Sequence, residues 1–325
     1  MPSRLTVVLV SLLLELSVLI FWLWLAILPA RVSILCPERC ECKKGGYIVI
    51  CNSPSLTAPP LIRLTDTRVL LLRRNEIILL ERDRFVSLTE LEILSLWECR
   101  LVTIELGAFN VLTKLTELLI VGNEISKIKL GTFENMINLN KLVLRYNRID
   151  HLNSDVFSGL VNIKTIDLTA NTLQFLYPDT FLGLPKLQYL NLSINRGLLI
   201  PTDRNFINSH FLSHLDISHC NVSSVSVGTF TNVSAQNVLD LRCNNLWTVD
   251  INIVRALPEL SKLYLYGNPL QCNSQLKEVW RWCEHRNIRT AYDGLNEVGV
   301  SECDTQKEVM GIWWGVVREM AVLSG

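Results

Sequence analysis

A short pattern that recurs along most of the chain constrains the fold more than any other feature. In residues 139–149 it reads LNKLVLRYNRI, an extended segment with apolar residues at alternate positions, followed by an asparagine. Successive side chains of a strand point to opposite faces, so Leu142 and Leu144 lie on one face and Val143 and Arg145 on the other. One such unit cannot bury its apolar face alone, so further copies must stack on it.

The pattern recurs at a nearly constant period. Its second apolar position occurs in steps of 24 residues, with a single step of 25, at Leu70, Leu94, Leu118, Leu142, Ile166, Leu190, Leu215, Leu239 and Leu263. The turn position is asparagine or cysteine, at Asn75, Cys99, Asn123, Asn147, Asn171, Asn195, Cys220, Asn244 and Asn268. A phenylalanine follows on the return path of the first seven copies, at Phe85, Phe109, Phe133, Phe157, Phe181, Phe206 and Phe230. Such repetition predicts a solenoid with one shared core, and a bulge on the return path of the sixth copy, where the extra residue falls.

These repeats resemble those of the leucine-rich repeat family, whose signature allows asparagine or cysteine at the turn. The resemblance implies an α/β solenoid of horseshoe shape, with a parallel β-sheet on the concave face and disulfide-containing caps at both ends. It divides the chain into a targeting segment (1–30), an N-terminal cap (31–63), nine repeats of about 24 residues (64–271) and a C-terminal cap (272–325). We expect Cys99 and Cys220 to be small buried thiols that serve the structure.

The first thirty residues predict export from the cytosol. Arg4 precedes an almost wholly apolar stretch from Leu5 to Ala30, which Glu15 interrupts. This order of charge and apolar core is typical of a signal peptide, and cleavage would leave a mature chain that begins near Arg31. A bilayer span needs roughly 20 apolar residues, so a signal anchor that is not cleaved is the alternative. Either outcome predicts that the repeats lie outside the cytosol, in a secreted protein or at the plasma membrane.

Four cysteines follow this segment with the spacing C-x3-C-x-C-x8-C, at Cys36, Cys40, Cys42 and Cys51. In an oxidising compartment such a cluster indicates disulfides. A zinc site is the alternative, but no histidine lies nearby in the sequence. The spacing is similar to that of the N-terminal cap of secreted leucine-rich repeat proteins, and this resemblance implies the pairs Cys36–Cys42 and Cys40–Cys51.

The end of the repeats predicts a helix that covers the last one. Residues of one helical face recur at Leu276, Val279, Trp280 and Cys283. The segment resembles the C-terminal cap of the same family, which carries four cysteines, whereas three are present here. We expect Cys272 to pair with Cys303 and Cys283 to stay unpaired, with Trp313 and Trp314 packed beneath the helix.

The outward positions of the first four strands suggest where a ligand would bind. They combine apolar and aromatic side chains with arginines, and the candidates are Arg73, Trp97, Leu119, Val121, Val143, Arg145 and Tyr146. Binding hot spots are enriched in tryptophan, tyrosine and arginine, and an exposed apolar patch often marks an interaction site. The alternative is that these are ordinary strand residues on a solvated sheet, because β-branched and aromatic residues favour strands in any case.

Repeats five to eight place Asp167, Asp216 and Asp240 on the central outward row, with Asn191 between the first two. Neighbouring strands lie about 4.8 Å apart, so only Asp216 and Asp240 could share an ion. A solvated acidic face is the favoured interpretation, and neither a metal nor a cofactor is predicted. Glycosylation is predicted at the N-x-S/T sequons of Asn191, Asn221 and Asn232, and a glycan on Asn191 would limit the footprint of a ligand.

The sequence predicts a binding protein and not an enzyme. His214 and His219 share a strand with Asp216 and Ser218, but one flat strand provides neither a closed site nor an oxyanion hole. The 31 basic and 31 acidic residues balance, and no basic stripe suggests nucleic acid. We expect a secreted or cell-surface glycoprotein whose concave face binds an extracellular or cell-surface protein.

The alternative from another functional class is a matrix scaffold without a ligand on the concave face. Membrane attachment is expected only if the N-terminal segment is not cleaved. Cys243 points outward in the eighth repeat, so it is a candidate for a disulfide that joins two copies of the chain.

Overall fold

The computed structural model describes residues 36–61, 64–230, 232–233 and 236–290. The chain begins with two antiparallel strands, β1 (Cys40–Lys43) and β2 (Ile48–Cys51), separated by a 3-10 turn at Lys44–Gly46. The strands that follow are β3 (Val69–Arg73), β4 (Leu79–Leu80), β5 (Ile93–Trp97), β6 (Thr103–Ile104), β7 (Glu117–Val121), β8 (Lys141–Val143), β9 (Thr165–Asp167), β10 (Tyr189–Asn191), β11 (His214–Asp216), β12 (Val238–Asp240) and β13 (Lys262–Tyr264).

Eleven of these strands form one sheet in the order β1-β2-β3-β5-β7-β8-β9-β10-β11-β12-β13. All neighbours from β2 onward are parallel, and β4 and β6 form a separate parallel pair. Leu70 lies opposite Leu94, one period later, and Leu190 lies opposite Leu215 across the longer step. The sheet therefore keeps its register, and the extra residue falls on the return path. The predicted parallel-sheet solenoid is confirmed.

The return paths consist mostly of turns and short 3-10 segments, at Pro178–Phe181 and Val227–Phe230. Their phenylalanines fill the far side of the core. From Phe85 to Phe181 the rings of successive repeats stack with centroids 5.7–6.4 Å apart. Phe206 and Phe230 are equally buried, at 1% and 2% exposure, but the stack as described ends at Phe181, just before the longer repeat.

The turn asparagines join each repeat to the preceding one. The Asn147 amide nitrogen donates to the carbonyl of Ile120 at 2.8 Å, and its oxygen accepts from the backbone N–H of Ile125 at 3.4 Å. Cys99 and Cys220 replace only the donor contact of the asparagine. Each thiol donates to a carbonyl of the previous repeat, at 3.3 and 3.2 Å. Burial raises the pKa of Cys220 to about 12, as expected for a structural thiol.

A left-handed residue precedes the asparagine or cysteine in all nine repeats. The φ angles lie between 50° and 74° at Arg74, Glu98, Gly122, Tyr146, Ala170, Ile194, His219, Cys243 and Gly267. This reversal turns the amide or thiol into the core and leaves the left-handed side chain at the edge of the concave face. Only two of the nine are glycines, although glycine adopts this conformation at least cost.

Disulfides close the N-terminal cap as predicted, with Cys36 bonded to Cys42 and Cys40 to Cys51. The antiparallel β1 covers the edge of the first parallel strand, which would otherwise present unpaired backbone groups.

Two helices lie at the other end, α1 (Ile251–Arg255) and α2 (Ser274–His285). The predicted face of α2 is buried at Leu276, Val279 and Cys283, and the Asn273 side chain caps the helix by accepting from the N–H of Leu276 at 2.9 Å. The edge of β13 is covered in turn, because the N–H of Leu263 donates to the carbonyl of Arg289 at 2.8 Å.

The cysteines of this cap follow the prediction as far as the described residues reach. Cys272 is disulfide-bonded and Cys283 is a free, buried thiol. The expected partner Cys303, both C-terminal tryptophans and the apolar segment of residues 1–30 lie outside the described residues. Of the helices in the described part of the chain, none has the length and apolar character needed to cross a bilayer.

Candidate functional surface on the concave face

The outward residues of β3, β5, β7 and β8, with the turn residues directly after them, form what we call the N-terminal concave surface. Its most exposed aromatic side chains are Trp97 and Tyr146, with 43% and 55% exposure. Trp97 ends β5 and Tyr146 occupies the left-handed position after β8. Both are therefore fixed by the repeat itself, and they present large rigid surfaces to the inside of the arc.

Trp97 forms a pair with Arg73 of the preceding repeat. The guanidinium carbon of Arg73 lies 5.5 Å from the centre of the indole ring, within the range of a cation–π interaction. The Nε atom of Arg73 is buried and has no hydrogen-bond partner among the described residues. On its other side, Trp97 borders Gly122, where an added Cβ would lie 3.7 Å from Cδ1 of the indole ring. Gly122 therefore places no side chain beside this edge of the ring.

The apolar candidates differ in how much surface they offer. Leu119 and Val121 on β7 are partly exposed. Val143 points outward as expected, yet its exposure is only 2%. It lies between Leu119 and Asp167 in the central row. Side chains converge on the inside of a curved sheet, so a short central side chain is covered by longer neighbours, and Val143 offers almost no surface to a ligand.

Arg145, another candidate for ligand binding, forms an ion pair within the protein. Its guanidinium lies 2.9 Å from a carboxylate oxygen of Asp167 in the next repeat. Asp167 is only 7% exposed and also accepts hydrogen bonds from the backbone and hydroxyl of Thr169, at 3.0 and 2.6 Å. The charge of Arg145 is thus neutralised within the protein.

Two of the three remaining cations of this surface, Arg74 and Lys141, are paired with the residue one period away. Arg74 lies 3.1 Å from the carboxylate of Glu98, and Lys141 lies 3.7 Å from that of Glu117. Within the described part of the N-terminal concave surface, Arg73 alone is a cation without a carboxylate in ion-pair range.

The outward residues of strands β9 to β13, with the turns that follow them, form the C-terminal concave surface. Here the expectation of a solvated acidic face is wrong. Asp240 is 5% exposed and its carboxylate oxygens both lie 2.7 Å from Nε of Arg242, whose guanidinium also lies over the rings of Tyr264 and Tyr266. Like Asp167, Asp240 is neutralised by an arginine on the sheet.

Asp216, between these two carboxylates, is bound differently. It is partly buried and accepts the backbone N–H of Ser218 at 2.9 Å. Burial, and after it the charge of Asp240, raises the pKa of Asp216. Burial also lowers the pKa of His214, whose Nδ1 lies 3.0 Å from the hydroxyl of Ser213. No group of three side chains that could hold a metal ion occurs among the described residues.

The remaining modification candidates lie in different environments. Asn191 is partly buried, and its side-chain oxygen accepts the N–H of Ser193 at 2.9 Å. Asn221 is exposed next to a turn, and Asn232 lies on the return path, where its amide donates to Asn208 at 2.7 Å. Cys243 is free and partly buried, and burial raises its pKa, which weakens its reactivity as a thiolate.

Trp97 and Tyr146 are exposed on this face as the sequence predicted, but that prediction did not distinguish Arg73 from Arg145. Both arginines occupy the same row, and each reads as an outward cation. Asp167, which neutralises Arg145, lies on the next strand opposite Val143 and is therefore diagonal to Arg145. This diagonal pair across two repeats was the sequence signal for the ion pair. No acidic residue stands at the corresponding diagonal of Arg73, where the sequence has Ser95.

Comparisons with known proteins agree with this architecture. The family model described as leucine rich repeat matches residues 113–171, 137–196 and 211–270. Human 5T4 (Wnt-activated inhibitory factor 1, trophoblast glycoprotein) has a similar structure, with a TM-score of 0.57 and 22% identity over 81% of this chain and 92% of that chain. Toll in the Drosophila Toll–Spatzle complex is also similar, with a TM-score of 0.57 and 20% identity. That match covers 64% of this chain and 27% of the Toll chain. No curated protein sequence matches the chain.

Proposed function

We propose that this chain, whose repeats match the leucine-rich repeat family model, is a secreted or cell-surface glycoprotein whose N-terminal concave surface binds an extracellular protein. The observation that carries the proposal is the pair of exposed aromatic side chains, Trp97 and Tyr146, held on a rigid sheet beside Arg73. Rigid aromatic residues bind with little loss of side-chain freedom and dominate binding hot spots.

Two kinds of support favour a location outside the cytosol. Two disulfides close the N-terminal cap, and disulfides persist in oxidising compartments. The apolar first thirty residues fit an export signal or a signal anchor. Among the similar structures, 5T4 is a glycoprotein by name and Toll forms a complex with Spatzle. A protein partner and glycosylation at Asn191, Asn221 and Asn232 are the corresponding proposals for this chain.

The test is capture of cell-surface and extracellular proteins by the chain secreted from cultured cells, with the Trp97→Ala and Tyr146→Ala variants run in parallel. We expect a partner verified by direct titration to lose at least about tenfold in affinity, because hot-spot truncations cost about 2 kcal/mol or more. Asp216→Asn on the C-terminal concave surface is the matched control and should bind as the original chain does. Loss of binding in the Asp216 variant alone would refute the proposal.

The same material tests export and glycosylation. A mature N-terminus near Arg31 in the medium would support cleavage, whereas an intact N-terminus in the membrane fraction would support the signal anchor. Glycosidase treatment should lower the mass of peptides that carry the sequons. An unchanged mass of the peptide that carries Asn191 would refute the prediction of a glycan on the concave face.

A second candidate function is a scaffold that binds other proteins through the return paths. Phe175, Tyr177 and Leu199 are exposed there by 41%, 48% and 72%. The two rings lie 5.4 Å apart, and the N–H of Leu199 donates to Gln174 at 2.8 Å, so the three belong to adjacent repeats. Leu199→Glu would abolish binding by a scaffold of this kind and leave a concave-face ligand unaffected.

A further inference from the structure

We propose that Arg73 receives a carboxylate side chain of the protein ligand, seated beside the ring of Trp97. The inference rests on the proposed function and specifies the partner: a segment with an aspartate or glutamate next to an apolar residue.

The charges of the N-terminal concave surface support an acidic partner. Arg74 and Arg145 face carboxylates of this chain at 3.1 and 2.9 Å, and a ligand carboxylate would have to compete with Glu98 or Asp167 for them. Arg73 faces no carboxylate among the described residues, so its charge is available to a partner. A guanidinium recognises a carboxylate with a planar fork of N–H donors, which makes the contact directional as well as electrostatic.

The position of Arg73 restricts how that contact forms. Its Nε is buried against the sheet without an acceptor, and the guanidinium carbon lies 5.5 Å from the centre of the Trp97 ring. The contact with the ring places the guanidinium beside Trp97, and the two terminal nitrogens are the atoms that can donate to a ligand. Packing against the ring reduces the side-chain freedom that Arg73 would lose on binding, which lowers the entropic cost of a hydrogen bond to a ligand.

The surroundings of Trp97 specify the residue next to the carboxylate. The ring is 43% exposed, Val121 lies in register beside it on β7, and Gly122 places no side chain beside Cδ1 of the ring. An apolar or aromatic ligand side chain would cover Trp97 and Val121 and exclude water from the ion pair. Exclusion of water strengthens a charged hydrogen bond, because the local dielectric constant falls.

The experiment uses the purified full chain and a phage-displayed library of random linear peptides. Peptides selected on the original chain are counter-screened on Trp97→Ala, Arg73→Gln and Arg100→Gln. Arg100 is the matched control, since it is exposed and pairs with Glu76 at 3.1 Å outside this surface. We expect the Trp97-dependent peptides to be enriched in aspartate or glutamate beside an apolar residue. They should lose about tenfold or more in affinity on Arg73→Gln, because a hydrogen bond between charged groups is stronger than one between neutral groups. Binding on Arg100→Gln should be unchanged.

A charge reversal keeps the test valid if removal of the arginine alters local packing. Selection on Arg73→Glu should yield Trp97-dependent peptides in which lysine or arginine replaces the acidic residue. The two proposals fail differently. Trp97-dependent peptides without acidic enrichment, or with equal affinity for Arg73→Gln, overturn the role of Arg73 and leave the proposed function standing. If no selected peptide depends on Trp97, both are overturned.

Discussion

The two halves of the concave face are built on successive strands of one parallel sheet and handle charge in opposite ways. On the N-terminal concave surface, apolar residues occupy most of the centre and the ion pairs of Arg74 and Lys141 lie towards its margins. On the C-terminal concave surface, the carboxylates of Asp167, Asp216 and Asp240 lie in the central row, where curvature buries them. The repeat therefore fixes the backbone, while the outward residues determine where charge is neutralised within the protein.

The largest effect is expected from breaking the buried pair of the C-terminal concave surface. Arg242→Ala would leave the carboxylate of Asp240, 5% exposed, without its cation. The free energy of unfolding should fall by about 3 kcal/mol, measured by urea denaturation. Arg148→Ala, which breaks an exposed pair with Glu124 at 3.2 Å, should change it by less than about 1 kcal/mol. Equal effects of the two variants would show that burial makes no difference to these pairs.

A smaller contrast is expected at the two left-handed glycines, one in each half. Gly122→Ala should lower the free energy of unfolding by about 1 kcal/mol, because φ is +66°. Gly267→Ala should cost more, since its Cβ would lie 2.8 Å from the sulfur of Cys243 in addition to the φ of +74°. Thermal or urea unfolding of the two variants side by side measures the difference. A Gly267 variant as stable as the Gly122 variant would contradict the close approach to Cys243.

The smallest effect concerns pH. Burial raises the pKa of Asp216, so the folded chain binds this proton more tightly than the unfolded chain does. The carboxyl therefore favours the folded state in acid, and that contribution is lost as pH rises through the folded pKa. Asp216→Asn should raise the free energy of unfolding at pH 7, with a gain that shrinks as pH falls through the range in which carboxyl groups titrate. A gain that is independent of pH would show that the charge is not its cause.

The fold could be predicted from the sequence because the period of 24 residues fixes the strand, the turn and the core position together. Leu142, Leu144 and Asn147 are required in some form by every repeat, so repetition reveals them. The disulfide pairs of the N-terminal cap came from resemblance, since four cysteines allow three pairings. The left-handed turn residue was missed, although Gly122 and Gly267 at equivalent positions were its signal.

The candidate surface could be predicted only in part, because exposure depends on neighbours in other repeats. Alternation places Val143 on the outward face correctly, but curvature brings adjacent side chains over it. Whether an outward arginine is free depends on the residue diagonally opposite, which differs between Arg73 and Arg145. Neither the exposure of an outward side chain nor the pairing of an outward arginine can be predicted from the sequence of a single repeat.

The asparagine ladder has a consequence for how the length of such a chain can change. Asn171 donates to a carbonyl 27 residues earlier and accepts from an N–H 22 residues earlier, both in the preceding repeat. Removal or duplication of one whole period would return every amide to an equivalent partner, whereas a change of half a period would place it against the return path. Variants of this protein that lose or gain whole repeats should therefore fold. The asparagine ladder thus restricts tolerated changes in chain length to whole repeats.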